Sequence, residues 1–329
     1  MGVEIAPMGL LFAVAAYLIW GLVPLYWKEL RGVPALELIC HRVVWSALLA
    51  AALIRFRGRG REFLATWRRP RSIALHAVAA VLIAANWLAF VWAVLHERVL
   101  DASLGYFMCP LVSVLLATLV LGERLRTLQW VAVAVAGLGV AYLIGDHGTV
   151  PIPALVVAFT WSGYGFVKKR TALGSIAGLG MELLLLLPLA LGWLAWQARA
   201  GALGWDLTMR DWTGNLWLFS TGLVTIVPLL LVAEAAKSIS LTTLGLFQYF
   251  VPSAIFALAV FYFREPFSTG QLVTFGAIWA GLGVYGLDRW QSRRPVPKRP
   301  DRSRPDAAGS PSPAQALLPP RKRSRGTRG

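Results

Sequence analysis

"PLVSVLLATLVLGE" occupies residues 110–123, and residues 252–265 read "PSAIFALAVFYFRE": a proline, an apolar run and a glutamate thirteen positions on, written twice. The correspondence extends outward in both directions. A glutamine follows each glutamate by six residues, at Gln129 and Gln271, and each copy then reaches "GLGV", at 137–140 and 281–284. Upstream, "SLGYFMCP" at 103–110 corresponds to "TLGLFQYFVP" at 243–252 with two residues inserted. Trp20 and Lys28 stand 141 residues before Trp161 and Lys169, and Glu37 and Glu182 open the second apolar run of each copy. The chain reads as a tandem duplication.

Composition sets the solvent of this repeat. Hydrophobic residues make up 57% of the 329 and charged residues 15%, where an average soluble chain is about half apolar and about a quarter charged. A helix crossing the hydrocarbon layer needs roughly 20 mostly apolar residues. Ten such runs lie at 8–27, 36–54, 73–95, 102–121, 128–145, 151–167, 179–198, 214–233, 241–263 and 270–287. Residues 1–7 hold Glu4 and no Lys or Arg, unlike a cleaved leader with its basic start, so the first run is expected as a membrane helix. The predicted fold is an all-α integral membrane protein, because ten such runs leave a soluble bundle too little polar surface.

Five helices per copy is an odd number, so the second copy enters the membrane from the opposite side. The expected architecture is ten transmembrane helices as two inverted five-helix repeats, residues 1–147 and 148–289, followed by a basic tail at 290–329. Inverted repeats are a recurring construction of secondary transporters, with the substrate site near the midplane where the halves meet. Two similar halves in opposite orientation have two near-equivalent packings, one open to each side. A duplication without transport, in a membrane scaffold or receptor, is the alternative.

The net charge of +16 is concentrated: residues 290–329 hold eleven Lys/Arg against Asp301 and Asp306, and the connection at 55–71 holds seven Arg against Glu62. With alternating sides assigned, the face carrying both termini has 25 Lys/Arg and the other face six, with Arg42 inside the second run. Basic residues flanking membrane helices mark the cytoplasmic side, so both termini are expected there. A nucleic-acid partner is not indicated, since no folded basic surface or reading motif appears. The Pro-rich tail is expected to be disordered, and its "RKRSR" at 321–325 is suited to anionic headgroups of membrane lipids.

The two halves resemble paired EamA domains of the drug/metabolite transporter superfamily. The resemblance rests on "HRVVWS" at 41–46, "NWLAFVWAV" at 86–94, "ASLGYFMCPL" at 102–111, "LGERL" at 121–125, "TLGLFQYFVP" at 243–252 and "VTFGAIW" at 273–279, and covers residues 8–289. It implies ten helices, residence in the inner membrane and export of small metabolites or drugs. The second copy departs from the pattern: "FREP" at 263–266 stands where the first has "LGER", so the glycine of that turn is missing.

Polar groups facing lipid are costly, so intramembrane polar residues usually face a cavity or a partner. Asn86, midway along the third run, and Gln248, beside Tyr249 in the ninth, are the candidates for binding a small-molecule substrate. Aromatic faces suit a small organic ligand, with Tyr adding a hydroxyl to orient it; Trp20, Tyr106, Trp161 and Tyr164 are the candidates, against interfacial belts as the alternative. Breaks at "WGLVP" (20–24) and "SGYGF" (162–166), and Pro110, Pro188, Pro228 and Pro252 inside apolar runs, free backbone carbonyls. Gly137, Gly139, Gly281 and Gly283 are expected to permit close helix packing. For coupling or gating, Glu37 and His41 share a helical face and Glu234 sits near Lys237; Arg42 and Lys237 are expected to reach for the headgroups. No HExxH, phosphate loop or nucleophile elbow is present, so neither an enzyme, a metal site nor a cofactor is indicated. Monomer and homodimer are both compatible with the sequence.

Overall fold

The computed structural model describes residues 7–58, 60–122, 125–171, 173–204, 212–239, 243–244 and 247–292. Glu123 and the basic tail from 293 lie outside them. The described residues up to Asp288 form one compact unit. The helices are α1 (Pro7–Glu29), α2 (Ala35–Phe56), α3 (Gly60–Trp67), α4 (Pro70–Leu95), α5 (Val99–Leu121), α6 (Thr127–His147), α7 (Ile152–Lys168), α8 (Ser175–Arg199), α9 (Trp212–Ala235), α10 (Phe250–Ala257) and α11 (Thr269–Ser292). Eight of these described helices are long and apolar enough to cross a membrane; α7, and α10 with its π-helical extension Leu258–Tyr262, are shorter. Setting α3 aside leaves the ten segments of an all-α membrane protein. In the basic connection, α3 lays Phe63 and Trp67 on Ile54, Leu173 and Met181.

Contacts between helix termini establish the inversion. At the near end, where α1 begins, Gly9 lies against Ser238 after α9. The end of α2, the start of α8 and the end of α9 enclose a cavity there, lined by Leu53, Arg57, Ile176 and Glu234. At the far end, Lys28 of α1 pairs with Glu97 after α4 at 3.6 Å. Pro151, which precedes α7, shares a far-end cavity with Glu97 and Glu265. Thus α1 begins at the near end and its counterpart α7 at the far end. Interhelical packing obeys the same exchange, with α1, α2, α4, α5 and α6 matched to α7, α8, α9, α10 and α11. Helix α4 packs on α7 as α9 packs on α1, α5 on α7 as α10 on α1, and α2 on α9 as α8 on α4. The pairs α2–α8 and α5–α10 map onto themselves.

Without a hydrophobic drive between helices in lipid, association depends on close packing at small residues. A Cβ at Gly105 of α5 would lie 2.6 Å from the Ala154 carbonyl oxygen of α7, and one at Gly222 of α9 would lie 2.8 Å from the Trp45 carbonyl carbon of α2. Of the four glycines expected at close contacts, Gly139 and Gly281 serve that way, each 2.7 Å from a neighbour at its Cβ position, whereas Gly137 and Gly283 have nothing within 4 Å.

Several expectations about breaks are corrected. Helix α1 continues through Pro24, and α7 runs unbroken through residues 162–166; neighbouring helices and local adjustment absorb one missing backbone bond in a bundle. The expected continuous ninth helix is not seen over its described part: Gln248 and Tyr249 form a turn and α10 starts at Phe250. Pro252 thereby falls in a first turn, where its missing N–H costs nothing. The lost glycine of "FREP" does not abolish the turn, because Arg264 adopts φ 54°, close to the 66° of Gly122 at the matching position. Glu265 then accepts the Val99 and Leu100 amides at 2.7 and 2.9 Å, capping α5 from the other half. Burial pushes its carboxyl above the usual range, against the pull of the two amides.

Candidate functional site

Helix α7 meets α4 and α5, and polar groups gather at this junction. Ala79, Ala80, Ala154 and Ala158 are small and buried, which lets the helices approach until side chains bond directly to the neighbouring backbone. Asn86 of α4 is completely buried. Its amide donates to the Val157 carbonyl at 3.1 Å and to Thr160 Oγ1 at 3.2 Å, and its Oδ1 accepts the Tyr106 hydroxyl at 3.2 Å. Tyr106 meets Trp161 edge to face at 6.0 Å, and Trp161 lies 6.0 Å from Tyr164. Four sequence-predicted residues, Asn86, Tyr106, Trp161 and Tyr164, therefore form one connected wall contributed by both halves.

The wall continues to a group that sequence reasoning missed. The Tyr164 hydroxyl donates to Glu182 Oε2 at 3.0 Å, while Lys168 Nζ and His76 Nδ1 stand 2.7 and 3.1 Å from Glu182 Oε1. Glu182 and His76 are fully buried and Lys168 largely so. This cluster ties α4, α7 and α8 together toward the near end. The available signal was the pairing of Glu182 with Glu37 as the acids of the two second helices.

Glu37 is also fully buried, at the far end, where it accepts the Gly204 amide at 2.8 Å. His41 is buried one turn along α2, with its Nε2 unpartnered among the described residues. Glu234 is solvent-facing, held by Lys237 at 2.7 Å, at the mouth of the near-end cavity of about 480 Å³. Trp20 lies apart from the wall, against Tyr17 at 5.5 Å in a cluster between α1 and the end of α9. Gln248 is exposed and Tyr249 half-buried, both in the turn before α10.

Arg42 does not reach for the headgroups. It is 8% exposed, with its guanidinium carbon 3.9 Å from the Trp87 ring centroid and 5.5 Å from that of Trp27, and its Nε donates to Thr225 Oγ1 at 2.8 Å. Trp87 is the chain neighbour of Asn86 on α4, so the Arg42 guanidinium lies one residue along that helix from the wall. Helices α1, α2, α4 and α9 position it, with Gly222 allowing α9 to close on α2.

Comparisons with known proteins agree on what such a bundle is. An uncharacterized transporter of Vibrio cholerae is 42% identical over 86% of this chain and 93% of its own. Protein RarD of Escherichia coli is 40% identical over 88% of this chain and 97% of its own. A Pseudomonas aeruginosa protein called chloramphenicol-sensitive protein RarD is 30% identical over 89% of this chain and all of its own. One crystal structure superposes with a TM-score of 0.55 at 20% identity, covering 87% of this chain and 99% of that one, and supports the fold. The sequence profile of the EamA-like transporter family matches twice, over residues 7–145 and 151–287. Two inverted five-helix halves meeting at a shared polar wall, with RarD relatives along most of the chain, place this multi-pass membrane protein in the EamA-like transporter family.

Proposed function

We propose that the protein is a secondary carrier that exports a small amphipathic organic molecule across the inner membrane by alternating access, with both termini in the cytoplasm. The observation that carries this reading is the Asn86–Tyr106–Trp161–Tyr164 wall at the junction of the halves. It combines hydrogen-bonding groups with flat apolar faces, the chemistry a small organic solute needs. The exchange symmetry of the packing supports two near-equivalent states. The buried acids support gates at opposite ends: Glu37 clasps Gly204 at the far end, and Glu182 clasps α4 and α7 at the near end. With the near end cytoplasmic, as the charge asymmetry indicates, release of the Glu182 clasp opens the chamber inward and release of the Glu37 clasp opens it outward.

The test is flux into proteoliposomes of a metabolite and drug panel, with and without a proton gradient. Chloramphenicol belongs in the panel because a relative carries its name. At equal membrane abundance Asn86→Ala is expected to lower flux about tenfold, the loss of a buried hydrogen-bonding centre being worth about 1–3 kcal/mol. Unchanged flux contradicts the assignment of the wall.

A further inference from the structure

Arg42 lies seven residues into α2, about 10 Å along the helix axis, where a cation is expensive. Insertion of an Arg into the hydrocarbon layer is unfavourable, and such charges are ordinarily paired. Among the described residues no carboxylate pairs with it. A guanidinium has five N–H donors, and among the described residues only the Nε–H has a protein acceptor, Thr225 Oγ1. The terminal nitrogens have none among the described residues, and the residue keeps 8% of its surface accessible. Two further donors beside it are also unsatisfied. Ser46, one turn along the same face of α2, is fully buried with its hydroxyl unpartnered, as is the indole N–H of Trp27, the ring 5.5 Å from the guanidinium. The Trp27 and Trp87 rings stabilise the cation but supply no oxygen acceptor.

We propose that Arg42 is the receptor for a carboxylate, so that the transported molecule is an organic monoanion seated with its charge on the guanidinium fork and its body along Tyr106 and Trp161. This deepens the carrier reading and rests on it. The planar fork of Arg matches the two oxygens of a carboxylate, and Ser46 and Trp27 bring donors suited to the same group. Charge selects among oxyanions: one carboxylate cancels one guanidinium, whereas a doubly charged phosphate leaves net charge in the hydrocarbon region. An occupied site is therefore neutral, which removes the main electrostatic barrier to moving the halves around it.

The experiment is a thermal-shift titration of the purified full chain in detergent with sodium acetate, butanoate and 3-phenylpropanoate. Sodium chloride, sodium phosphate and 3-phenylpropanamide serve as probes at matched ionic strength. Ligand that binds the folded state raises Tm with concentration. At least one carboxylate is expected to raise Tm beyond chloride, with 3-phenylpropanoate exceeding its amide. Arg42→Met is expected to weaken carboxylate binding at least about thirtyfold, the size of effect found on truncating one partner of a buried charge pair. Should Arg42→Met not fold, Arg42→Lys keeps the charge without the fork and is expected to bind more weakly than the parent. The proposal is overturned if no carboxylate exceeds chloride, if phosphate or the amide matches the best carboxylate, or if the Arg42 variant that folds keeps full affinity. Panel flux separates this from the parent reading: neutral solutes moving without carboxylate binding remove the anion site and keep the carrier. Carboxylate binding without flux of any solute removes the carrier and keeps the site.

Discussion

Glu182→Ala lowers the stability of the detergent-solubilised protein by about 3–5 kcal/mol and abolishes flux, because breaking a buried ion pair leaves its partner uncompensated. Three donors converge on that carboxylate: Lys168 at 2.7 Å, Tyr164 at 3.0 Å and His76 at 3.1 Å. Removing it strands a largely buried ammonium, deprives a buried imidazole of its acceptor and unties α8 from α4 and α7. Lys168 keeps 19% of its side chain exposed and can turn partly to water, which sets the loss toward the lower end of the range. Glu182→Gln retains an acceptor and is expected to fall between the parent and Ala. The double variant Glu182→Leu, Lys168→Met is expected to recover most of the stability without recovering flux, since an apolar pair of similar volume often equals a buried ion pair. Thermal unfolding in detergent beside proteoliposome flux separates the two readouts. A single Ala variant with unchanged Tm contradicts the clasp.

Gly105→Val is expected to have the second largest effect. A Cβ there meets backbone, the Ala154 carbonyl oxygen at 2.6 Å, and also Val157 Cβ at 2.8 Å, neither of which is the movable tip of a long side chain. Helix α5 must back away from α7, at about 1–3 kcal/mol for overpacking. The same turn of α7 carries the Val157 carbonyl that holds Asn86, and Tyr106 stands one residue from Gly105. Separation of the two helices therefore disrupts the wall as well as the packing. Expected outcomes are a lowered Tm and flux reduced more than Asn86→Ala reduces it; a Val variant with parental Tm contradicts the close crossing.

The repeat was legible because it is written in spacing: a duplication of five apolar runs dictates inversion by parity alone. That Asn86 has partners was legible, because an amide in the middle of an apolar run needs them. Arg42 was misread because snorkelling and stacking begin from the same local sequence. What decides between them is Trp87 and Thr225, 45 and 183 residues away in the chain. Glu182 was visible as a repeat marker and not as a hub, since His76 comes from a helix 106 residues earlier. Trp20 and Trp161 occupy matching positions in the repeat yet differ in surroundings: Trp161 meets Tyr106, while Trp20 packs in the α1–α9 cluster. The repeat preserves backbone more faithfully than side-chain neighbours. Arg264, in the left-handed conformation of its counterpart Gly122, makes the same point.

Arg57 and Arg199 stand at the ends of α2 and α8, the corresponding helices of the two halves. Single cysteines placed there, in a background with the buried Cys40 and Cys109 replaced by alanine, can be labelled in intact cells with a membrane-impermeant maleimide. The inverted arrangement requires that the two positions react from opposite sides, and with the termini in the cytoplasm, as proposed, position 199 reacts from outside while position 57 stays protected until the membrane is opened. Reaction of both positions from the same side would contradict the inversion, and with it the alternation of the central chamber between the two faces of the membrane.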